Sequence, residues 1–176
     1  MPRQARARCL CYTGGFGLYA AKAGASEVLG LDASEPALEL ARRNAVANGL
    51  GNISFENADI FRKLAALVAE GRKFDVVILD PPKFARNRAA VPEAMKGYRR
   101  LHQLAMKLLD RDGILVSCCC TGLIMLSDLE DVIALCSIEA RRDLQILARR
   151  GPSSDHPVAI SCRESGYLKC VISRVW

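Results

Sequence analysis

No stretch of this sequence stays apolar for the roughly 20 residues that a membrane-spanning helix needs, so a helical membrane protein is excluded. The basic leader, Met1-Pro2-Arg3-Gln4-Ala5-Arg6-Ala7-Arg8, has no apolar region behind it and is not a secretory signal. Histidine is scarce: His102 and His156 stand in no partner pattern, and His102 reads as a helix-surface residue. The eight cysteines lack the spacing of a disulfide framework. Three of them, Cys118, Cys119 and Cys120, are consecutive, and successive strand residues point to opposite faces. That usage suits a reducing, cytoplasmic compartment. Cys9-x-Cys11 is tighter than the usual zinc-ligand pair, so no metal site is expected. Internal repeats and low-complexity segments are missing too.

What is present fits one folded domain. With 176 residues, 51% hydrophobic and 25% charged, the chain can bury a sizeable core, and residues 1–176 are expected to form a single domain. The net charge of +6 suits a phosphate-rich partner, although Lys and Arg on helix faces also serve solvation. The leader runs abruptly into the first strand, which points to a trimmed or truncated N-terminus.

The chain is organised around Tyr12-Thr13-Gly14-Gly15-Phe16-Gly17. Cys9-Leu10-Cys11 before it reads as the end of a buried strand, and Leu18 to Ala23 after it opens a helix. Glycines between strand and helix let the backbone approach a ligand, and the free N–H groups of the helix start favour a polar or anionic group. Val28 to Asp32 reads as a second strand ending in an acid that can accept both hydroxyls of a ribose. Gly15-Phe16-Gly17-Leu18-Tyr19-Ala20 also matches the dinucleotide fingerprint, which keeps a nicotinamide cofactor open at this point.

Further along, Ser34 caps a helix with Pro36 in its first turn, and Asn48-Gly49 stops it. Ile53-Ser54-Phe55 is a third strand. Asp59 precedes a helix through Leu64 and Val68, and Phe74 to Leu79 is a fourth strand. A helix spans about Glu93 to Leu109, Asp110 to Gly113 is a turn, and Ile114 to Cys118 is the fifth strand. A helix from about Ser127 to Ala140 precedes two last strands, Leu144 to Leu147 and Tyr167 to Ile172. The alternation predicts an α/β fold with a mainly parallel sheet covered on both faces. Only a loop joins the last two strands, which predicts that they are antiparallel.

Ligands of open parallel sheets sit at the carboxyl ends of the strands. The glycine loop, Asp32, Asp59, Asp80-Pro81-Pro82 and the cysteine run all fall there. The two prolines fix φ and remove two donors, giving a rigid exit that can hold the Asp80 carboxylate against a substrate. Asp59 reads equally as a helix cap and as an adenine contact, and Phe84 equally as a stacking ring and as packing.

Tyr12-Thr13-Gly14-Gly15-Phe16, Asp32-Ala33-Ser34, Asp59-Ile60-Phe61, Asp80-Pro81-Pro82-Lys83-Phe84, Cys120-Thr121-Gly122-Leu123 and Asp155-His156-Pro157 follow each other as in one family. From about Cys9 to Trp176 the chain resembles the catalytic domain of the PUA-domain-containing 23S ribosomal RNA cytosine-carbon-5 methyltransferases, the large-subunit methyltransferase I type. The resemblance implies a Rossmann-like class I fold, with seven strands and the last antiparallel. It implies S-adenosylmethionine as cofactor, held near Tyr12, Thr13, Gly14, Gly15, Asp32, Ala33, Asp59, Ile60 and Asp80. Pro81, Pro82, Lys83 and Phe84 would meet the substrate, RNA, which this chain is expected to bind weakly. It also implies Cys120 as the nucleophile, with Asp80 beside it, and a thiol with a depressed pKa or a nearby base.

Two departures stand out. Arg8 occupies a first-strand position where the family carries an acid or amide, and the family's N-terminal PUA and linking domains have no counterpart in these residues. An amino-group methyltransferase of the Asp-Pro-Pro type and a non-catalytic nucleotide-binding remnant are the alternative readings.

Overall fold

Short apolar runs alternating with amphipathic segments fold into seven strands and five helices in the described part of the chain. The structure, a computed structural model, describes residues 6–176, with side chains from residue 11 onward except 163 and 164. Met1 to Ala5 of the basic leader and the side chains of Arg8 and Cys9 therefore lie outside the described residues.

The strands are β1 (Arg6–Leu10), β2 (Glu27–Asp32), β3 (Ile53–Asn57), β4 (Phe74–Leu79), β5 (Leu109–Cys119), β6 (Leu144–Arg150) and β7 (Lys169–Val175). The helices are α1 (Gly15–Lys22), α2 (Glu35–Ala47), α3 (Ile60–Ala69), α4 (Val91–Leu108) and α5 (Leu126–Glu139). One sheet holds all seven strands in the order β3-β2-β1-β4-β5-β7-β6. β1 to β5 pair in parallel, and β7 runs antiparallel to both of its neighbours. This is the Rossmann-like α/β arrangement expected from the sequence. The chain fills one side of β1 first and then crosses to β4 on the other. The carboxyl ends of β1 and β4 thus flank the point where the strand order reverses, which is where open α/β sheets bind their ligands.

Local sequence explains most boundaries. The Ser34 hydroxyl accepts the Ala37 N–H at 3.5 Å to start α2, and Gly49, with φ +65°, ends it in the left-handed region. Asp59 caps α3 by accepting the Arg62 N–H at 2.9 Å. The larger core lies where α3, α4 and α5 meet the sheet, around Leu64, Phe74, Tyr98, Leu101, Leu108 and Leu115. The opposite face is covered more thinly, through Ala21, Val28, Leu38 and Ile78.

Three expectations need correction. β5 begins at Leu109 and runs through the segment read as a turn. A register shift between Phe74 and Val76 absorbs the irregularity, with Asp112 at φ 62°. The Arg142 guanidinium holds this bend by donating to the carbonyls of Met106, Leu109, Asp110 and Val175 at 2.9, 2.7, 2.6 and 3.1 Å. β7 begins at Lys169, because Arg163–Gly166 form a short 3₁₀ turn that Tyr167 closes. His102 is not on the helix surface: it is 1% exposed. It lies one helical turn after Tyr98 on the broad inward stripe of α4. The Tyr98 carbonyl can only accept, so Nδ1–H donates to it at 2.7 Å, and Nε2 accepts the Ser117 hydroxyl at 2.6 Å. Burial lowers the pKa of this histidine to about 4, so it is neutral.

Candidate active site

The glycine loop joins β1 to α1 by a turn that only glycine fits well. Gly14 has φ +90°, and a Cβ there would meet Ala41 Cβ and the Phe55 ring, each at 3.2 Å. Its N–H donates to the Cys11 carbonyl at 2.7 Å, which closes the turn. Gly15 begins α1 and faces open space, with nothing within 4 Å of where a Cβ would stand. Beside the loop, Asp32 ends β2. Its two carboxylate oxygens accept backbone N–H groups from Tyr12 and Ser34, both at 2.9 Å. A carboxylate oxygen has more than one acceptor site, so Asp32 can take further donors from the open side. Tyr12 itself, at φ 43°, is 71% exposed. Ala33 and Asp59 are exposed and Ile60 is half-buried, all at the same edge of the sheet.

Asn44, on α2, also belongs to this region. Its Nδ2 donates to the Thr13 carbonyl at 3.3 Å and anchors the glycine loop to α2. Nothing in the local sequence marks it, because the contact bridges residues 31 apart.

On the other side of β1, the exits of β4 and β5 meet. Pro81 is buried and turns its carbonyl toward the Cys120 thiol, with Sγ at 3.8 Å from the oxygen. The Asp-Pro-Pro turn and the cysteine are therefore neighbours across 39 residues of sequence. Asp80 is exposed where β4 ends, yet the surrounding protein desolvates its carboxyl enough to raise its pKa. Cys120 differs from expectation. Desolvation, then Cys119, then Asp80 push its thiol up, while its own backbone and Lys83 pull the other way. The expected depressed pKa is thus corrected, since the opposing cation does not outweigh burial and the adjacent acid. Cys118 and Cys119 are buried, at 4% and 0% exposed, and Cys120 is the one of the three that is half-open.

A cleft of about 770 Å³ opens over Cys120, lined by Lys83, Arg86, Arg88, Leu123 and Tyr167 among others. Lys83 lines this cleft, and Pro82 is exposed beside it. Phe84 instead packs its ring on Tyr98, at 5.0 Å between centroids, and against Gly97. Packing is therefore what engages this ring, and Tyr167 is the aromatic side chain that lines the cleft. Arg86, Arg88 and Tyr167 were missed as site residues. The first two lie between the Asp-Pro-Pro turn and the helix at Glu93, where no motif marks them, and Tyr167 reads as the start of the last strand.

The profile of the methyltransferase-domain family matches residues 11–149, most of the chain. The chain belongs to the methyltransferase-domain family. Among curated relatives, this methyltransferase domain is 44% identical over 171 residues to the ribosomal RNA large subunit methyltransferase I of Shewanella denitrificans. That match covers 96% of the chain and 43% of the relative, so the chain spans less than half the length of that protein. Among solved structures, the methyltransferase domain superposes on SMU.776 complexed with SAH, with TM-score 0.81 and 23% identity over 98% of this chain and 46% of the other. It superposes on NSun6 from Pyrococcus horikoshii with SFG, with TM-score 0.70 and 19% identity over 98% of this chain and 48% of the other. At those identities the structural matches speak for the fold of the methyltransferase domain alone.

Proposed function

We propose that this chain is the S-adenosylmethionine-dependent catalytic part of a ribosomal RNA methyltransferase, forming 5-methylcytosine in 23S rRNA through a bond between Cys120 and carbon 6 of the base. The observation that carries this reading is the half-open Cys120 thiol in a basic cleft, 3.8 Å from the Pro81 carbonyl of the Asp-Pro-Pro turn. The name of the Shewanella relative supports RNA as the substrate class, and the SAH complex among the structural neighbours supports the cofactor class.

The residues present fit that cofactor. Tyr12, Thr13, Gly14 and Gly15 supply a closely approachable backbone at the start of α1, with open space over Gly15. Asp32 keeps acceptor capacity for ribose hydroxyls, while Ala33, Asp59 and Ile60 would border the adenine and Asp80 the methyl-bearing end. When bound, S-adenosylmethionine supplies an electrophilic methyl group.

The chain's own residues prepare the base. Lys83, Arg86 and Arg88 meet backbone phosphates, and Tyr167 offers a ring face to an unstacked nucleotide. The target base has to leave its stack to reach the thiol. Asp80, its pKa raised by desolvation, favours the protonated acid that donates to the ring nitrogen of cytosine. The Cys120 thiolate adds to carbon 6 and pushes an electron pair onto carbon 5, which becomes nucleophilic like an enamine carbon. Carbon 5 would use that pair to bond the methyl group that the cofactor supplies, and loss of the carbon 5 proton to a base then re-forms the double bond and expels the thiolate.

RNA carrying 5-fluorocytosine tests this directly, because fluorine cannot leave as a proton does. With the methyl donor present, a protein–RNA adduct stable to denaturing electrophoresis is expected. Methyl transfer to an exocyclic amine with no adduct would instead make the chain an amino-group methyltransferase.

A further inference from the structure

The turn that presents Cys120 is not held by its own backbone alone. β7 runs antiparallel to β5, so its first residue, Lys169, lies opposite Cys119 at the carboxyl edge of the sheet. From there its ammonium group donates to the Thr121 carbonyl at 2.8 Å and to the Ile124 carbonyl at 2.6 Å. Those carbonyls belong to the turn that follows Cys120, and Ile124 N–H already closes it on Thr121 O at 3.1 Å. Lys169 is half-buried, with two of its three donors used on main-chain oxygens. A half-buried lysine costs desolvation, and a hydrophobic residue beneath a surface turn would avoid that cost.

We infer that Lys169 is the positioning residue for Cys120: it ties the Thr121–Ile124 turn so that the thiol faces the cleft, and its charge favours the thiolate. This inference rests on Cys120 being the nucleophile. The groups that face Cys120 come from several elements: Asp80 and Lys83 after β4, Cys119 on β5, Tyr98 on α4 and Lys169 on β7. Asp128 of α5 also faces Lys169. Burial lowers the pKa of Lys169, and negative charge on Cys119, Cys120 or Asp128 raises it. Lys83 is the cation that draws the Cys120 thiol down directly, and a protonated Lys169, held on the Thr121 and Ile124 carbonyls, adds positive charge beside the same turn.

The test is the rate of Cys120 alkylation by iodoacetamide as a function of pH, with the modified residue located by fragment-ion mass spectrometry. It is run on the full chain and its Lys169→Met, Lys169→Gln and Lys169→Arg variants, each checked for a native thermal unfolding transition. Lys169→Met is expected to move the profile upward by about one pH unit and to slow the reaction about tenfold at pH 7.5. Lys169→Gln, which keeps donors but no charge, should show most of that displacement, and Lys169→Arg should restore the profile. If Lys169→Met does not fold, Lys169→Gln carries the measurement. A wild-type pH profile in the uncharged variants would overturn the inference. Because alkylation needs no RNA, a Lys169-dependent profile with no 5-fluorocytosine adduct would remove the nucleophile reading while leaving the electrostatic coupling in place.

Discussion

The two halves of the carboxyl edge are built by opposite means. On the β1–β2 side, the groups around the glycine loop are held by main chain: Asp32 is fixed by the N–H groups of Tyr12 and Ser34, and Gly14 by the Cys11 carbonyl. On the β4–β5–β7 side, the groups are crowded side chains whose proton affinities depend on one another. Asp80 is raised by desolvation, Cys120 by desolvation, Cys119 and Asp80, and Lys169 is lowered by burial. A site that only has to hold a ligand does well with rigid backbone dipoles and open water. A site that forms a thiolate, the role proposed for Cys120, needs groups that feel each other's charge, which requires removing some of that water.

The sharpest way to break this contrast is to separate the halves by mutation. Cys120→Ser is expected to abolish the 5-fluorocytosine adduct while leaving S-adenosylhomocysteine binding, measured by calorimetry, unchanged. Cys118→Ser and Cys119→Ser should still give an adduct, and one that survives Cys120→Ser would shift the role to a neighbour.

A smaller effect is expected from the core beneath the reactive half. The folded protein keeps His102 neutral down to about pH 4, against an ordinary value of 6.5. Its folded pKa is depressed, so its contribution is complete above pH 6.5. That contribution is lost as pH falls toward 4, where the unfolded chain binds the extra proton. Urea unfolding should therefore show a loss of about 2 kcal/mol between neutral pH and pH 4.5 from this group. His102→Gln should flatten that part of the profile, and an unchanged slope would remove the assignment.

Asp32→Ala tests the opposite half. It is expected to weaken S-adenosylhomocysteine binding by roughly 1–3 kcal/mol, with wild-type alkylation of Cys120. Calorimetry with NAD should give no binding heat in either protein, and unchanged affinity in Asp32→Ala would refute the ribose contact. The smallest effect is expected at the cleft rim. Arg86→Ala should weaken RNA binding only modestly and lower the slope of log affinity against log salt by about 1, read by filter binding. Tight binding that ignores salt would mean that the basic cleft is not the RNA surface.

The sequence by itself determined the parts whose signals are local. The strand–glycine–helix pattern at Cys11 to Leu18, the Ser34 and Asp59 caps and the apolar run Phe74 to Leu79 each carry their structure in a few adjacent residues, because backbone conformation and capping act over one turn. The order of these elements was enough for the parallel sheet and its antiparallel end. Only tertiary structure decided which side chains meet. His102 reads as polar and exposed until the width of the inward face of α4 buries it against Ser117. Phe84 reads equally as a stacking ring and as packing until Tyr98, 14 residues on, takes it into a packed pair. Lys169 gives no local hint of its place. It arrives at the turn after Cys120 because the last strand is antiparallel, and reversing a strand brings its first residue to the edge where the parallel strands end.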